Sequence, residues 1–387
     1  MKRLFCTLIV IICFACSAAS AGGHIGIEGT VSGQNNGEII TADLYQQNGD
    51  TILVSSLFPD LAVILNHGCC TDDILYELFL FKPGRFASVM DMTDRILAEW
   101  LQRLNMKTHS GSYSGEVFEY ASSVSTTSFQ LSDFARFLDD VFSKEYHPDT
   151  ETDTTESVLY YGFLSDVAKK LQSIPENDKI LVSVRCYDEN RYFTFAIQKQ
   201  NETICTISVD NTADHARRVI SGHKENGKYY YHDITYSAGL ESFTVENRFY
   251  GGTQSSFLNL SDRNPLIRTS LYAVENSDHT CRYEYKAESA ALGDPFIVSG
   301  IQQENSLSLE ILAGESGREI AHISAYYDNM KNPVSFSDKK TLDSELKEDY
   351  DTISMNFIAA GLTLADKVFP NLPLSYQKII FSLMPGL

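Results

Sequence analysis

The order of apolar and polar positions changes twice along this 387-residue chain. After the first two dozen residues, "HIGIEGTVS", "GEIITADLYQQ" and "DTILVSSLF" alternate apolar with polar, the period of strands with one buried face. Asn48-Gly49-Asp50 supplies a turn between the last two. Helical spacing follows. In "DMTDRILAEWLQRL", Ile96, Leu97, Trp100, Leu101 and Leu104 form one stripe, and Asp91 or Thr93 is placed to cap it. Phe134, Phe137, Leu138 and Val141 repeat the stripe behind Ser132, and Tyr160, Phe163, Leu164, Val167 and Leu171 repeat it in "ESVLYYGFLSDVAKKL". Aromatic rings at that spacing are core packing, not a cofactor box.

From Lys179 to about Tyr327 the period returns to two, with turn residues roughly every 8–12 positions, the mark of an antiparallel meander. No repeat of about 20–50 residues suggests a solenoid or propeller. "DTISMNFIAAGLTLADKVF" is apolar from Phe357 to Ala365, too short to span a bilayer and suited to a helix on a sheet. The pattern therefore predicts an α+β fold. A helix-rich N-terminal α+β region covers 22–148 and an acidic linker or loop 149–156. A helix plus a long antiparallel β-meander covers 157–350, and a helical segment packed on the sheet covers 351–387.

The opening residues change the setting. Lys2 and Arg3, an apolar run from Leu4 to Ala15, and Ala19-Ser20-Ala21 are the three parts of a secretory signal over 1–21, with cleavage after Ala21. Lipid anchoring through Cys16 is the weaker alternative, because Cys13-Phe14-Ala15 lacks the usual leucine three residues before the cysteine. The mature chain is expected outside the cytoplasm, with no transmembrane segment. Cleavage removes two of 31 basic residues and no acidic one, so the formal charge moves from −20 to −22. Such a chain is repelled by nucleic acid and by anionic headgroups, whose binding depends on Lys and Arg.

Candidate chemistry is sparse. Asp149, Glu151 and Asp153 are spaced like the first ligands of a calcium loop, but Thr154 and Tyr160 stand where a glycine and a glutamate belong. "GSYSG" at 111–115 puts Tyr113 where a nucleophile elbow needs serine, and reads as a flexible loop. "SGHK" at 221–224 lies in strand and turn, and its companion Lys-Thr-Gly is missing. No glycine-rich nucleotide cradle occurs, and no cofactor is expected.

Five cysteines follow the signal. Strand alignment pairs Val182 with Ile197, Val184 with Phe195, Cys186 with Phe193 and Ile197 with Cys205. Cys186 and Cys205 then flank a middle strand about 9.6 Å apart, beyond the roughly 7 Å limit for a disulfide. With Cys281 they read as small buried hydrophobes. Cys69 and Cys70, in "LNHGCCT", lack the spacing of a zinc or thioredoxin pair. They read as structural or incidental, with a disulfide and a redox or metal centre as alternatives.

One constellation remains. Asn226-Gly227 is a two-residue hairpin turn that pairs His223 with Tyr230, Ser221 with His232 and Val219 with Ile234. His223 and His232 then lie diagonally on one face, shared with Arg217, Ser221, Tyr230 and Tyr236. That face is the candidate ligand site, and the two histidines are candidate metal ligands. The functional expectation is an exported, non-catalytic binding or structural module with an unidentified extracytoplasmic ligand or protein partner. The alternatives are a carrier of an apolar ligand on a curved sheet and a metal-dependent hydrolase using His223 and His232.

Overall fold

The computed structural model describes residues 23–368 apart from 32–38, 48–49, 68–81, 146–154, 226, 253–263, 290–292, 294, 314–317, 330–333 and 345, together with 370, 372, 374 and 377. The signal segment with Cys16 and Ala21, the Cys69–Cys70 pair, Asp149, Glu151, Asp153 and Asn226 lie outside the described residues. The molecule is mostly a large mixed sheet of eighteen strands, with 56% strand against 25% helix, and this overturns the helix-rich α+β expectation.

Two compact units divide the chain: residues through Lys82 together with those from Ala273 onward, and residues Pro83–Tyr272. The first unit opens with β1 (Gly23–Val31), β2 (Ile39–Gln47), β3 (Asp50–Ser55) and β4 (Leu61–His67). The second unit then contributes α1 (Gly84–Arg103), β5 (Lys107–Tyr113), β6 (Ala121–Gln130), α2 (Leu131–Glu145) and α3 (Thr155–Ser173). It continues with β7 (Ile180–Tyr187), β8 (Tyr192–Lys199), β9 (Glu202–Ala213), β10 (Ala216–Glu225), β11 (Lys228–Ala238) and β12 (Ser242–Gly252). After β13 (Ile267–Glu275) the chain adds β14 (Cys281–Ser289), β15 (Phe296–Gln303), β16 (Ser306–Ala313), β17 (Arg318–Asn329), β18 (Lys340–Asp343) and α4 (Lys347–Val368) to the first unit.

In the first unit the pairing runs β14–β15–β16–β17–β1–β2–β3–β4–β18. Every pair is antiparallel except β4–β18, whose parallel register makes the sheet mixed. Strand β1 joins the two chain segments, because Ile25 lies opposite both Leu44 and Tyr327. These residues, with Leu53, Val63 and Leu342, form a core that α4 covers through Ile353, Phe357 and Ala360. The Phe58 and Phe357 rings meet at 5.4 Å.

The second unit is an eight-stranded antiparallel meander, β5 through β12 in chain order. It begins 72 residues before the expected start at Lys179, and among the described residues of 22–148 six strands stand beside two helices. The reason is polarity. Strand β5, "KTHSGSY", is exposed at all but its last residue, so it carries no apolar alternation, and the segment read as a Gly/Ser loop belongs partly to a strand. Helix α1 also starts earlier than the cap at Asp91 or Thr93 implies. Phe86, Val89 and Met90 extend the apolar stripe backwards, and Thr93 Oγ1 donates to the Val89 carbonyl at 2.7 Å from inside the helix.

The helices cover one face of this meander. Ile96 and Trp100 of α1, Phe137, Leu138 and Val141 of α2, and Tyr161, Leu164 and Ala168 of α3 form an interhelical core. Trp100 packs edge-on to Phe129 of β6 at 5.0 Å, and truncating so buried an aromatic costs about 3–5 kcal/mol. Leu101 presses onto Val182, Val184, Cys186 and Phe193. These strand residues are an alternate set, so all of them face the helices.

Candidate functional site

The β10–β11 hairpin forms in the register expected from the sequence, with Glu225 opposite Lys228, His223 opposite Tyr230 and Ser221 opposite His232. On the outer face the Tyr231 ring lies over Gly222, where a Cβ would come within 2.6 Å of it. Arg218 there makes a two-pronged bond to Asp233, at 3.0 and 3.1 Å. Inner-face positions alternate with these. Strand β12 extends the inner face with Val245 opposite Tyr236, Asn247 opposite Ile234 and Phe249 opposite His232.

The six expected site residues divide into two stations. At the hairpin end, the His223 and His232 rings stack at 6.2 Å, with planes 22° apart. Tyr230 stacks on His223 at 5.4 Å, and Phe249 approaches His232 at 4.7 Å. Burial, and then the neighbouring His223, hold the His232 imidazole below its ordinary pKa. At the opposite end stand Arg217 and Tyr236, directly paired and about 20 Å along the strand from His223 by the usual rise. Ser221 lies between the stations, beside His232.

The Arg217 end sits under the first turns of α1. The Arg217 guanidinium bonds the carboxylate of Asp94 and donates to the carbonyls of Ala213 and Ala216, at 2.9 and 2.8 Å. Phe86 stacks on Phe243 at 3.7 Å. Together with Val89, Met90, Thr93 and Tyr236 these groups line a partly open cavity of about 190 Å³. Burial pushes the Tyr236 phenol up, so it stays neutral. The surface is apolar apart from the Arg217–Asp94 ion pair, the Thr93 hydroxyl and the Tyr236 phenol.

Between the stations the inner face carries Val219, Ile234 and Asn247, all partly buried. The side-chain oxygen Oδ1 of Asn247 is buried and has no hydrogen-bond partner. An unmade bond of this kind costs about 1–3 kcal/mol.

Among the described residues no group of three or more His, Cys, Asp or Glu side chains is placed to hold a metal ion. His223 and His232 therefore meet as stacked rings without a described carboxylate. Cys186, Cys205 and Cys281 carry free thiols. Cys186 and Cys205 flank β8 through Phe193 and Ile197, and burial pushes the Cys186 thiol up to about 11. Cys205 is only partly buried, beside His223.

Sequence reasoning missed Phe86, Asp94, Phe243, Asn247 and Phe249. The last three were within reach, because "SFTVENRFYGG" alternates at 243, 245, 247 and 249, and extending the register by one strand finds them. Phe86 and Asp94 reach the site from a helix 120 or more residues earlier, which no local pattern signals. No described helix is long and apolar enough to cross a membrane. Compared with known proteins, the chain matches no family model, no curated protein and no solved structure.

Proposed function

We propose that this chain is an exported, non-catalytic binding module that carries an apolar ligand on the inner face of β10–β12, beneath α1. The observation that supports this reading is the cavity of about 190 Å³ lined by Phe86, Val89, Met90, Tyr236 and Phe243. An apolar cavity of about 150 Å³ already takes up a benzene ring, so this one has room for a ring or a short alkyl chain. Its one cation and one carboxylate neutralise each other, and Arg217 spends its other donors on carbonyls. The polar groups of the cavity are thus engaged in holding its walls. A few placed polar groups among apolar ones is the usual composition of a small-molecule site.

The test uses toluene, a single apolar ring of the size this cavity admits, with binding followed by isothermal calorimetry. The full chain should bind it saturably, and Thr93→Phe should weaken binding at least tenfold. Thr93 is an exposed helix position on the rim, so a phenyl ring there fills the cavity without disturbing the core. Absence of saturable binding to the folded chain, or equal binding by Thr93→Phe, would refute the assignment.

A further inference from the structure

We infer that the exported chain binds a copper(II) ion at its new N-terminus, in a square of four nitrogens that ends at His24. This rests on the exported part of the proposal above and not on the cavity. Cleavage after Ala21 leaves Gly22-Gly23-His24 as the first three residues. A free amine with a histidine two residues behind it is a ligand set in itself. The amine of Gly22, the amide nitrogens of Gly23 and His24, and Nδ1 of the His24 imidazole follow one another along the chain. Neighbouring nitrogens close small chelate rings around one metal ion, and the two glycines bear no side chain to crowd the plane. Four nitrogens in a plane suit copper(II).

The structure presents the imidazole in the form this site requires. His24 is the second residue of β1 and is buried, its ring stacked on Tyr45 at 4.6 Å with planes 9° apart. Its Nε2 lies 3.0 Å from Oδ1 of Asp43. A carboxylate only accepts, so Nε2 carries the hydrogen, and in the neutral ring Nδ1 keeps its lone pair. Nδ1 faces the Asp328 carboxylate at 3.8 Å, too far for a hydrogen bond. A ring that donates one nitrogen to a carboxylate and leaves the other bare is the usual arrangement of a metal-ligating histidine. Asp43 and Asp328 also place negative charge beside a cation bound there.

The amide nitrogens come from the ends of two ladders. Gly23 opposite Asn329 is the first pair of β1 with β17, and His24 opposite Tyr45 is the first of β1 with β2. Metal binding draws these two nitrogens out of pairing, and their protons leave to solvent with one from the terminal ammonium. Strand ends open more readily than strand centres. The next residue, Ile25, is anchored in the core with Leu44 and Tyr327, so the opening stops there. Three of the four ligands are main-chain nitrogens, so no cluster of His, Cys, Asp and Glu side chains marks the site among the described residues.

The test titrates copper(II) into the folded chain beginning at Gly22, followed by visible absorption and electron paramagnetic resonance. One equivalent should bind with the axial spectrum of four nitrogens in a plane. A chain beginning at Ala21 moves the histidine to fourth place and leaves every side chain of the fold unchanged. It should bind copper about a hundredfold more weakly. The other histidines are common to both chains, so the difference reads this site alone. Zinc, which prefers a tetrahedron, should not displace the copper at equal concentration. Asp43→Ala should weaken copper binding about tenfold, through loss of the carboxylate that orients the ring. Equal affinity of the chains beginning at Gly22 and Ala21, or an unchanged affinity in Asp43→Ala, overturns the inference. So does an intact mass that places the first residue of the exported chain elsewhere, and in that event toluene binding still stands for the apolar carrier. A chain that takes up copper as expected but no toluene keeps this site and loses the cavity proposal.

Discussion

The Arg217–Asp94 pair sets up an asymmetry that mutation can measure. The Arg217 side chain is 8% exposed, whereas that of Asp94 is 43% exposed. Removing one member of a fully buried pair costs about 3–5 kcal/mol, because the survivor keeps its desolvation penalty. In Asp94→Asn the survivor is the enclosed guanidinium. It retains the carbonyls of Ala213 and Ala216, and the missing partner was half in water, so the expected loss falls to about 1–2 kcal/mol. In Arg217→Met the survivor is Asp94, which can hydrate. Methionine also fills similar space against Phe243 and Tyr236, and the cost should stay below about 1 kcal/mol. The double variant should cost no more than Arg217→Met alone, within about 0.5 kcal/mol. Urea unfolding followed by tryptophan fluorescence is the assay, since Trp100 is the single tryptophan and sits in the interhelical core of the second unit. If Arg217→Met is the more damaging variant by a full kcal/mol, the argument from unequal burial fails.

Three further outcomes follow from the same geometry. On the outer face the burial is reversed, with Asp233 at 4% exposure and Arg218 at 42%, so Arg218→Met should cost about 3–5 kcal/mol in the same urea assay; a loss below 1 kcal/mol would show that the carboxylate finds water. Iodoacetamide should modify Cys205 in the native chain and reach Cys186 and Cys281 only after unfolding; burial pushes all three thiols up, so the order rests on access, with Cys205 only partly buried and the other two buried; peptide mapping that finds Cys186 modified first contradicts this order. Unfolded His232 takes up its proton near pH 6.5, while the folded imidazole resists to lower pH, so the unfolded state binds more protons in that window. Stability should therefore fall as pH drops below about 6.5 and level off below the folded pKa, with a shallower decline in His232→Phe; a stability that rises toward pH 5 through this residue reverses the sign.

What the sequence disclosed depends on how local the determining interaction is. The registers of β7, β8 and β9 and of the β10–β11 hairpin follow from short turns and a period of two, since a one-residue slip would turn Val182, Val184 and Cys186 away from the helices. Helical stripes around Trp100, Phe137 and Leu164 are legible for the same reason. Strands β5 and β6 are not, because their Ser, Thr and Gly side chains follow no burial pattern; only backbone pairing, of β6 with β7 and of β5 with β6, makes them strands. Nor does local text show that β1 pairs with β17, almost 300 residues later, or that β4 takes a parallel partner in β18. The helix-rich expectation failed because apolar stripes are conspicuous and polar strands are silent.

The candidate site shows the same division more sharply. Consecutive arginines, Arg217 and Arg218, point to opposite faces of one strand, and alternation alone predicts that. It does not predict that each finds a carboxylate: Arg218 on the next strand at Asp233, Arg217 on a helix at Asp94. The consequence is mechanical. One bond ties β10 to β11 on the outside, and the other ties β10 to α1 on the inside, so the strand is held from both faces at the cavity end. At the hairpin end no described ion pair holds the inner face, and His223, Tyr230, His232 and Phe249 rest on one another as stacked rings.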